Sequence, residues 1–477
     1  MATPIPKNQA RSTLPAIALA THGTIVHRAE SSRETFVGIT TDSRAVTPGS
    51  VFVALRGESH DGHAFVGTAI ANGASVVVVE KGRGIDVPAE ASIVEVADTL
   101  VAWGDLARAH LVAWRTEAVD GRIVAITGSA GKTTTKELTA ALLAEIAPTH
   151  FTAGNLNNRI GVPAVVFALE KAHRFCVLEM GMSLRGELDA IVGFAPPDVS
   201  VVVNVGVAHA EGVGGREGVM YEKGAVFRAL GPDGIAVANA DDPFVMRAAE
   251  ATRARRTETF GHGGAHYALV ERTACAGGSN VVLSAAGRRL AFFCPLPGEA
   301  AAIDLCAALA AQEAASRELL STAQIERALG RIRLEGRGTI RVLANDVLLL
   351  DDTYNANPAS MRVALATLAE LGALPDGTTR RRVAVLGEMK ELGAFAEEEH
   401  VALGDAIADA GVALVIGCGG LVDLALARAA ARGVETVSAA TTALAAEEAR
   451  ARITVGDVVL VKGSRGVGAE AVVAKIS

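Results

Sequence analysis

The most constraining feature of this chain of 477 residues is an apolar run that leads into a glycine turn and a lysine. It reads Ile123-Val-Ala-Ile-Thr-Gly-Ser-Ala-Gly-Lys-Thr-Thr-Thr135. The run predicts a buried strand, and Lys132 with Thr133 would open the helix that follows. Glycines let backbone N–H groups converge on phosphate oxygens, the helix N-terminus adds a positive dipole, and Lys132 supplies a counter-charge. We therefore predict a phosphate-binding loop on a parallel α/β sheet.

The loop is shorter than the general phosphate-binding loop. That loop needs Gly-x-x-x-x-Gly-Lys, and the position of its first glycine is occupied here by Ile126. This difference argues against a generic GTPase or nucleotide kinase. Thr133 would place its hydroxyl on Mg²⁺. The residues predicted to surround the phosphates are Gly128, Ser129, Ala130, Gly131, Lys132, Thr133 and Thr134.

Three further side chains are candidates because of where the predicted elements end. A strand from Phe175 ends at Glu179, which places a carboxylate at the edge of the sheet where α/β folds bind ligands, and Mg²⁺ prefers oxygen ligands. His209 follows the next strand at the same edge, although an isolated histidine is more often structural. Lys223 lies in a predicted helix start, and the sequence leaves open whether it is solvated or buried.

Composition excludes several classes of protein. Lys and Arg total 45 against 53 Asp and Glu, a net charge of −8, which does not suit a nucleic-acid binder. No apolar stretch approaches the ~18 residues of a membrane span. The run from Leu14 to Ala20 weakly imitates a signal peptide, but no convincing cleavage site follows. Five scattered cysteines without a Cys-x-x-Cys pair favour a reducing cytoplasm.

Strand-like Val/Ile runs alternate with Ala/Leu-rich helical stretches, the pattern of parallel α/β architecture. We predict three domains, at residues 1–119, 120–335 and 336–477. The segment from Phe260 to Asn280 is expected to be an irregular or antiparallel insertion in the second domain. The third domain is expected to be a smaller open sheet.

Ordered motifs from Val37 to the C-terminus resemble those of the Mur ligases of bacterial cell-wall synthesis. Those enzymes use ATP to join an amino acid or dipeptide to a UDP-muramoyl peptide. The motifs, besides the phosphate loop, are Asp42-Ser-Arg44, Gly57, Asp61-Gly-His63, Gly154-Asn-Leu-Asn-Asn158, Gly161-Val-Pro163, Asp351-Asp-Thr-Tyr-Asn-Ala-Asn-Pro358, Gly387-Glu-Met-Lys-Glu-Leu-Gly393 and Lys462-Gly-Ser-Arg465. The resemblance implies an N-terminal α/β UDP-binding domain, a central P-loop ATPase-like parallel sheet and a C-terminal Rossmann-like domain.

The resemblance also implies roles for individual residues. Asn155 and Asn158 would lie beside the reacting centre, and His209 would serve a second magnesium. Lys223 matches a lysine carried as a carbamate, which turns an ammonium into an anionic oxygen ligand. Asp42, Ser43 and Arg44 would hold the UDP-sugar. Arg337 at the hinge would act with Asp352, Tyr354, Asn355 and Asn357 to close over the nucleotide, while Lys462, Ser464 and Arg465 would lie near the incoming dipeptide.

The activity implied is ATP-dependent, ADP-forming addition of D-alanyl-D-alanine to UDP-N-acetylmuramoyl-tripeptide through an acyl phosphate. The product, a UDP-linked pentapeptide, serves peptidoglycan synthesis, on which cell shape and division depend. ATP and Mg²⁺ are the implied cofactors. We expect a cytoplasmic monomer that contacts neither nucleic acid nor the membrane interior. The sequence does not say whether the tripeptide ends in lysine or diaminopimelate.

Two alternatives and two departures accompany this interpretation. Another Mur ligase or a folylpolyglutamate synthase shares the loop and the reaction type, and a regulatory switch would hydrolyse ATP without ligation. The family's Gly-x-His-Asn-x-x-Asn motif is replaced by Gly298-Glu-Ala-Ala-Ala-Ile-Asp304. Ala300 and Ala301 therefore stand where the family has a His-Asn pair that contacts adenine. A second departure, Val467-Gly-Ala-Glu470, replaces a turn that usually contains methionine.

Overall fold

The computed structural model describes residues 3–30, 33–57, 60–83, 90–206, 210–275, 277–374 and 377–477. Three mostly parallel sheets follow one another along the chain. This arrangement confirms the predicted three-domain α/β fold class. No helix among the described residues combines the length and the apolar character that crossing a membrane requires.

The first sheet has the strand order β2-β7-β6-β5-β4 and is parallel except where β2 meets β7. A small antiparallel pair, β1 with β3, lies beside it. The run that imitates a signal peptide is helix α1, whose Leu14 and Ile17 are buried. The elements are β1 Arg11–Ser12, α1 Leu14–Ala20, β2 Thr24–His27, β3 Phe36–Val37, β4 Ile39–Thr40, β5 Val51–Val53, α2 Val66–Ala71, β6 Val76–Glu80, β7 Ser92–Val96 and α3 Thr99–Glu117.

The second sheet carries the phosphate loop, and its described strands have the order β16-β15-β14-β13-β12-β11-β8-β10-β9. The elements are β8 Arg122–Thr127, α4 Lys132–Ala144, β9 Thr149–Phe151, α5 Gly161–Phe167, β10 Phe175–Glu179, α6 Glu187–Phe194, β11 Val199–Val202, α7 Ala210–Val213, α8 Gly215–Lys223, α9 Ala225–Arg228, β12 Ile235–Asn239, α10 Pro243–Ala249, β13 Arg256–Gly261, β14 Tyr267–Cys275, β15 Gly278–Ala285, β16 Arg288–Cys294, α11 Glu299–Ser316 and α12 Thr322–Arg331.

Two sequence expectations for this part of the chain have clear outcomes. The predicted insertion is antiparallel, because β14, β15 and β16 form a meander that extends the same sheet. The helix start predicted in the segment around Lys223 falls at Ala225, where α9 begins, and not at Lys223 itself. Lys223 is instead the last residue of α8, which begins at Gly215 after Gly214 adopts a φ of +91°. Glycine accepts this left-handed conformation without the steric cost that a side chain would bring.

The third sheet has the order β17-β18-β22-β19-β20-β21, and only β17 is antiparallel to its neighbour. The elements are β17 Thr339–Val342, β18 Leu348–Asp352, α13 Pro358–Leu371, β19 Arg382–Leu386, α14 Ala396–Asp409, β20 Leu414–Gly417, α15 Val422–Ala430, β21 Glu435–Ser438, α16 Thr442–Arg452, β22 Val458–Lys462 and α17 Glu470–Ile476.

Hydrophobic cores on both faces fix the orientation of the central sheet. Successive residues of β8 point to opposite faces, so Ile123 joins the core that includes α3, while Val124 joins the core that includes α11. Trp103 of α3 is buried in the first core and donates from its indole nitrogen to the Ile160 carbonyl at 2.9 Å. With both faces buried, the polar ends of the strands are left at the sheet's carboxyl edge, where the candidate site lies.

Candidate active site

The phosphate loop connects β8 to α4, and its first half is held by Asn204. The N–H groups of Ser129 and Ala130 both donate to Asn204 Oδ1 at 2.9 Å. Gly131 caps α4 with a φ of +79° and offers no side-chain bond to the helix. The first N–H groups of a helix have no partner within it. The N–H groups in the first turn of α4 are therefore available to bind an anion.

Two lysines converge on one carbonyl of this loop. Lys132 Nζ donates to the Gly128 oxygen at 2.8 Å, and Lys223 Nζ donates to the same oxygen at 3.0 Å. Burial lowers the pKa of Lys132, an effect that the nearby Glu179 carboxylate opposes. Burial, reinforced by the charge on Lys132, lowers the pKa of Lys223 well below its usual value. Lys223 is therefore a buried lysine and not a solvated one.

Glu179 ends β10, and both of its carboxylate oxygens have partners. Thr133 donates its hydroxyl to Oε2 at 2.7 Å, and the Asn157 amide donates to Oε1 at 2.8 Å. A carboxylate and a hydroxyl placed together are hard oxygen donors. They fit Mg²⁺, which usually takes one or two carboxylates and keeps several waters. Among the described residues, no three His, Cys, Asp or Glu side chains group as metal ligands.

The three asparagines of the motif that precedes α5 make different contacts, which the sequence did not indicate. Asn158 Oδ1 accepts from the N–H groups of Ile160 and Gly161, and Asn155 Oδ1 accepts from the Thr3 hydroxyl at 2.7 Å. Both residues line the cleft, but it is Asn157 that contacts Glu179. Sequence reasoning missed Asn157 and the role of Asn204. Predicted residue His209 lies outside the described residues.

The third domain forms the opposite wall through the segment after β18. Lys462 is buried and donates to Asp352 Oδ2 at 2.5 Å and to the Asn355 carbonyl at 2.9 Å. Asn357 reaches across to the loop, where its amide donates to the Ser129 carbonyl at 3.3 Å. The Asn357 contact therefore joins the third domain to the phosphate loop of the second domain.

Tyr354 stands between two guanidinium groups on this wall. Arg337 lies 3.6 Å from its ring centre and Arg465 lies 5.2 Å away. Ser464 is buried and ties two loops together, since its hydroxyl accepts from the Lys390 N–H at 2.9 Å and donates to the Ala356 carbonyl at 3.2 Å. Arg337 and Arg465 line the cleft, whereas Ser464 supports its wall from behind.

Together these walls enclose a cleft of about 660 Å³ between the second and third domains. Its apolar lining residues include Leu296, Pro297, Ala300, Ala301, Val363 and Ala364. Asp304 lies beneath Gly131, since a Cβ on that glycine would stand 2.6 Å from Asp304 Oδ1. Burial raises the pKa of Asp304 to about 8, with Thr135 opposing the shift.

The three predicted UDP-sugar residues follow β4 in the first domain, away from the cleft-lining set. Arg44 and Asp42 form a two-point ion pair at 2.9 and 2.8 Å, and the Arg44 hydrogen bond lowers the pKa of Asp42. Ser43 is buried, and its carbonyl accepts from the Asn72 amide. The described candidates for phosphate binding, metal binding and closure over the nucleotide therefore lie together. The UDP-sugar candidates lie in a separate domain.

Comparison with known proteins agrees with this architecture. Three family models match: "Mur ligase family, catalytic domain" over residues 35–111, "Mur ligase middle domain" over 126–312, and "Mur ligase, glutamate ligase domain" over 333–465. The UDP-N-acetylmuramoyl-tripeptide–D-alanyl-D-alanine ligase of Escherichia coli K12 is 36% identical over 446 residues, covering 92% of this chain and 93% of that protein. The chain belongs to the Mur ligase family.

Solved structures extend the comparison. A crystal structure of MurF from Acinetobacter baumannii has a TM-score of 0.85 at 30% identity and covers 99% of both chains. The MurF ligase of Thermotoga maritima in complex with ADP has a TM-score of 0.79 at 28% identity, covering 92% of this chain and 96% of that one. A folylpolyglutamate synthase of Mycobacterium tuberculosis, at 19% identity and a TM-score of 0.61 over 77% of this chain and 94% of that one, shares only the fold.

Within this Mur ligase the departure at Ala300 and Ala301 has a visible consequence. Both residues line the cleft, and neither carries a side-chain hydrogen-bond donor or acceptor. The other departure, at residues 467–470, forms a short turn that leads into α17. Neither change alters the contacts that hold Lys132, Thr133 and Glu179.

Proposed function

We propose that this Mur ligase adds D-alanyl-D-alanine to UDP-N-acetylmuramoyl-tripeptide, with ATP converted to ADP and phosphate. The observation that carries the proposal is the single cleft in which the phosphate loop faces the Asp352–Asn357 segment of another domain. Relatives over nearly the whole chain that carry this ligase name support the substrate assignment. The tripeptide carboxylate would attack the γ-phosphate of ATP, and the dipeptide amine would then attack the resulting acyl phosphate.

The chain's own residues supply positioning and charge in this mechanism, and no protein nucleophile is needed. Lys132 and the first turn of α4 bind the phosphates, supported by the loop residues Gly128–Thr134, which Asn204 holds in shape. Charge neutralisation at the transferred phosphoryl group dominates catalysis of this kind. Closure of the third domain over the loop would exclude water from an acyl phosphate that water would otherwise hydrolyse.

We propose Thr133 and Glu179 as the residues that hold Mg²⁺, with His209 and Lys223 contributing to a second site. Bound magnesium would neutralise charge on the phosphates. Asn155 and Asn158 line the same cleft and would contact the reacting groups. A carbamate on Lys223 would relieve the close approach of two ammonium groups at Gly128 by giving one of them an anionic head.

The remaining roles follow from position. Arg337, Asp352, Tyr354, Asn355 and Asn357 would hold the nucleotide, and Lys462, Ser464 and Arg465 would lie near the dipeptide. Asp42, Ser43 and Arg44 would contact the UDP-sugar. We propose residues 1–119, 120–335 and 336–477 as the corresponding domains. Five free cysteines, four of them buried, suit a reducing cytoplasm, where we propose that the chain acts as a monomer.

Phosphate release with each substrate omitted in turn tests this proposal. We expect release only when ATP, the UDP-linked tripeptide and D-alanyl-D-alanine are all present. Release with L-glutamate or diaminopimelate in place of the dipeptide would point to another Mur ligase or a folylpolyglutamate synthase. Rapid release from ATP alone would point to a hydrolytic switch.

A further inference from the structure

A lysine buried behind the phosphate loop takes no part in the mechanism above. Lys136 lies one helical turn after Lys132 on α4, and its side chain is 0% exposed. It is absent from the residues that line the cleft. Lysine is almost never fully buried unless it is paired. Its partners therefore indicate why a charged group occupies this position.

The Lys136 ammonium joins α4 to the edge strand of the central sheet. Nζ donates to the Thr152 carbonyl at 2.8 Å and to Glu137 Oε1 at 2.5 Å. It also lies 5.3 Å from the ring centre of Phe151, the last residue of β9. Of these contacts, only the bond to Thr152, which directly follows β9, reaches buried backbone outside α4.

Thr152 is also hydrogen-bonded to Glu179 and to the strand that Glu179 ends. The Glu179 N–H donates to the Thr152 hydroxyl at 3.0 Å, and the Thr152 N–H donates to the Val177 carbonyl at 3.0 Å. Thr152 is fully buried. All three polar groups of Thr152 are thus engaged, one with Lys136 and two with the end of β10.

The segment that begins at Thr152 also contacts the Glu179 carboxylate, through Asn157. Asn157 donates to Glu179 Oε1 at 2.8 Å, and its carbonyl accepts from the Gly181 N–H at 2.7 Å. The backbone of Glu179 is therefore held through Thr152, and its side chain is held through Asn157. Lys136 anchors the start of the segment that makes both contacts.

We propose that Lys136 is a positioning residue that, through Thr152, sets the place of the Glu179 carboxylate relative to Thr133 on the same helix. Removing one partner of a buried charged pair lowers stability whatever its role, so metal binding and not stability must test this proposal. The inference rests on the proposed role of Glu179 in holding magnesium. Partners behind a metal ligand commonly change metal affinity about 10- to 100-fold when they are removed.

Lys136→Met removes the ammonium and keeps the length of the side chain, and ADP binding by calorimetry with Mg²⁺ and with EDTA reads out the effect. We expect the tightening of ADP binding by Mg²⁺ to fall about tenfold in the variant, with the affinity in EDTA within about twofold of wild type. An unchanged magnesium effect in a folded variant would overturn the proposal. An equal loss with and without Mg²⁺ would also overturn it, because it would indicate a structural role only.

Variants of the two partners of Lys136 separate its contacts. Glu137→Gln should leave the magnesium effect within about twofold of wild type, whereas Thr152→Val should reduce it as Lys136→Met does and Thr152→Ser should restore it. A loss in Glu137→Gln as large as in Lys136→Met would assign the effect to the ion pair and overturn the proposal. If Lys136→Met does not fold, Lys136→Gln, which removes the charge and shortens the side chain by one atom, decides by the same criterion.

Binding of ADP does not depend on ligation, so the two proposals fail separately. A wild-type protein that shows the magnesium effect but does not ligate D-alanyl-D-alanine would contradict the proposed function and leave the role of Lys136 intact. If the wild-type protein ligates D-alanyl-D-alanine but Lys136→Met leaves the tightening of ADP binding by Mg²⁺ unchanged, the role of Lys136 would be contradicted and the proposed function would stand.

Discussion

Thr133 donates its hydroxyl to Glu179 Oε2 at 2.7 Å, which joins the first turn of α4 to the end of β10. The two residues are 46 positions apart in sequence, and only the parallel pairing of β8 with β10 brings them together. This contact places a hydroxyl and a carboxylate side by side at the mouth of the phosphate loop. It is the geometric basis for the proposed magnesium site.

Replacing the Thr133 hydroxyl tests that site directly. Thr133→Val keeps the shape of the side chain but removes its oxygen, so we expect kcat to fall roughly 100-fold, a loss of the size seen when a preorganised polar group is removed. The concentration of Mg²⁺ needed for half-maximal activity should rise as well. Thr133→Ser is the matched control and should stay within a few-fold of wild type. Equal activity of the two variants would contradict the assignment.

Asp304 makes the stability of the protein depend on pH. Burial raises its pKa from 3.8 to about 8, so the folded protein holds a proton that the unfolded chain releases near pH 4. Because the folded state binds more protons across this interval, stability falls as pH rises from about 4 to 8, by up to about 1.4 kcal/mol per pH unit.

Asp304→Asn should remove that contribution. We expect the melting temperature of the variant minus that of wild type to increase as pH is raised from 5 to 8, since the amide carries no charge to bury. Thermal melts at a series of pH values measure the difference. Parallel curves for the two proteins would show that the Asp304 carboxyl does not titrate in this range.

Much of the scaffold was predictable because its signals are local. The strand Phe175–Glu179 has the bounds that its apolar run and polar end indicated. The antiparallel extension was harder to foresee. Its attachment depends on only two residue pairs between β13 and β14, Phe260 with Tyr267 and Gly261 with Ala268, and local sequence does not specify such a register.

The site was predictable where chemistry and strand ends coincide, as at Lys132 and Glu179. It was not predictable where a residue acts by holding another residue of the site in place. Asn157 and Lys136 act through Glu179 and Thr152, and these pairings depend on tertiary contacts between separate elements. The sequence does show a cluster of asparagines at 155, 157 and 158, but it does not say which of them contacts Glu179.

Asn357 allows the contact between the domains to be separated from helix stability. Its Oδ1 accepts from the Ser360 N–H to cap α13, while its amide donates to the Ser129 carbonyl. Asn357→Asp keeps the cap but cannot donate, so we expect a several-fold rise in KM for ATP with little change in melting temperature. Asn357→Ala should show the same KM effect and also lose about 1 kcal/mol of stability. An unchanged KM in both variants would exclude a role for the contact in nucleotide binding.

Lys223 has the environment that carbamate formation requires. Burial and the neighbouring Lys132 charge lower its pKa well below the usual value, which increases the fraction of neutral, nucleophilic amine. With ¹³C-bicarbonate we expect a carbamate carbon signal in the NMR spectrum of the wild-type protein and none in Lys223→Met. A signal of equal intensity in both would place the carbamate elsewhere.

The most direct test of the central claim is the mass of the product formed from UDP-N-acetylmuramoyl-tripeptide, ATP and a panel of amine donors. The account predicts a product heavier than the acceptor by one D-alanyl-D-alanine minus one water, with one ADP and one phosphate formed per product. D-alanine, L-glutamate and diaminopimelate should give no adduct. An adduct with a single amino acid, or ADP formed with no adduct at all, would contradict the account.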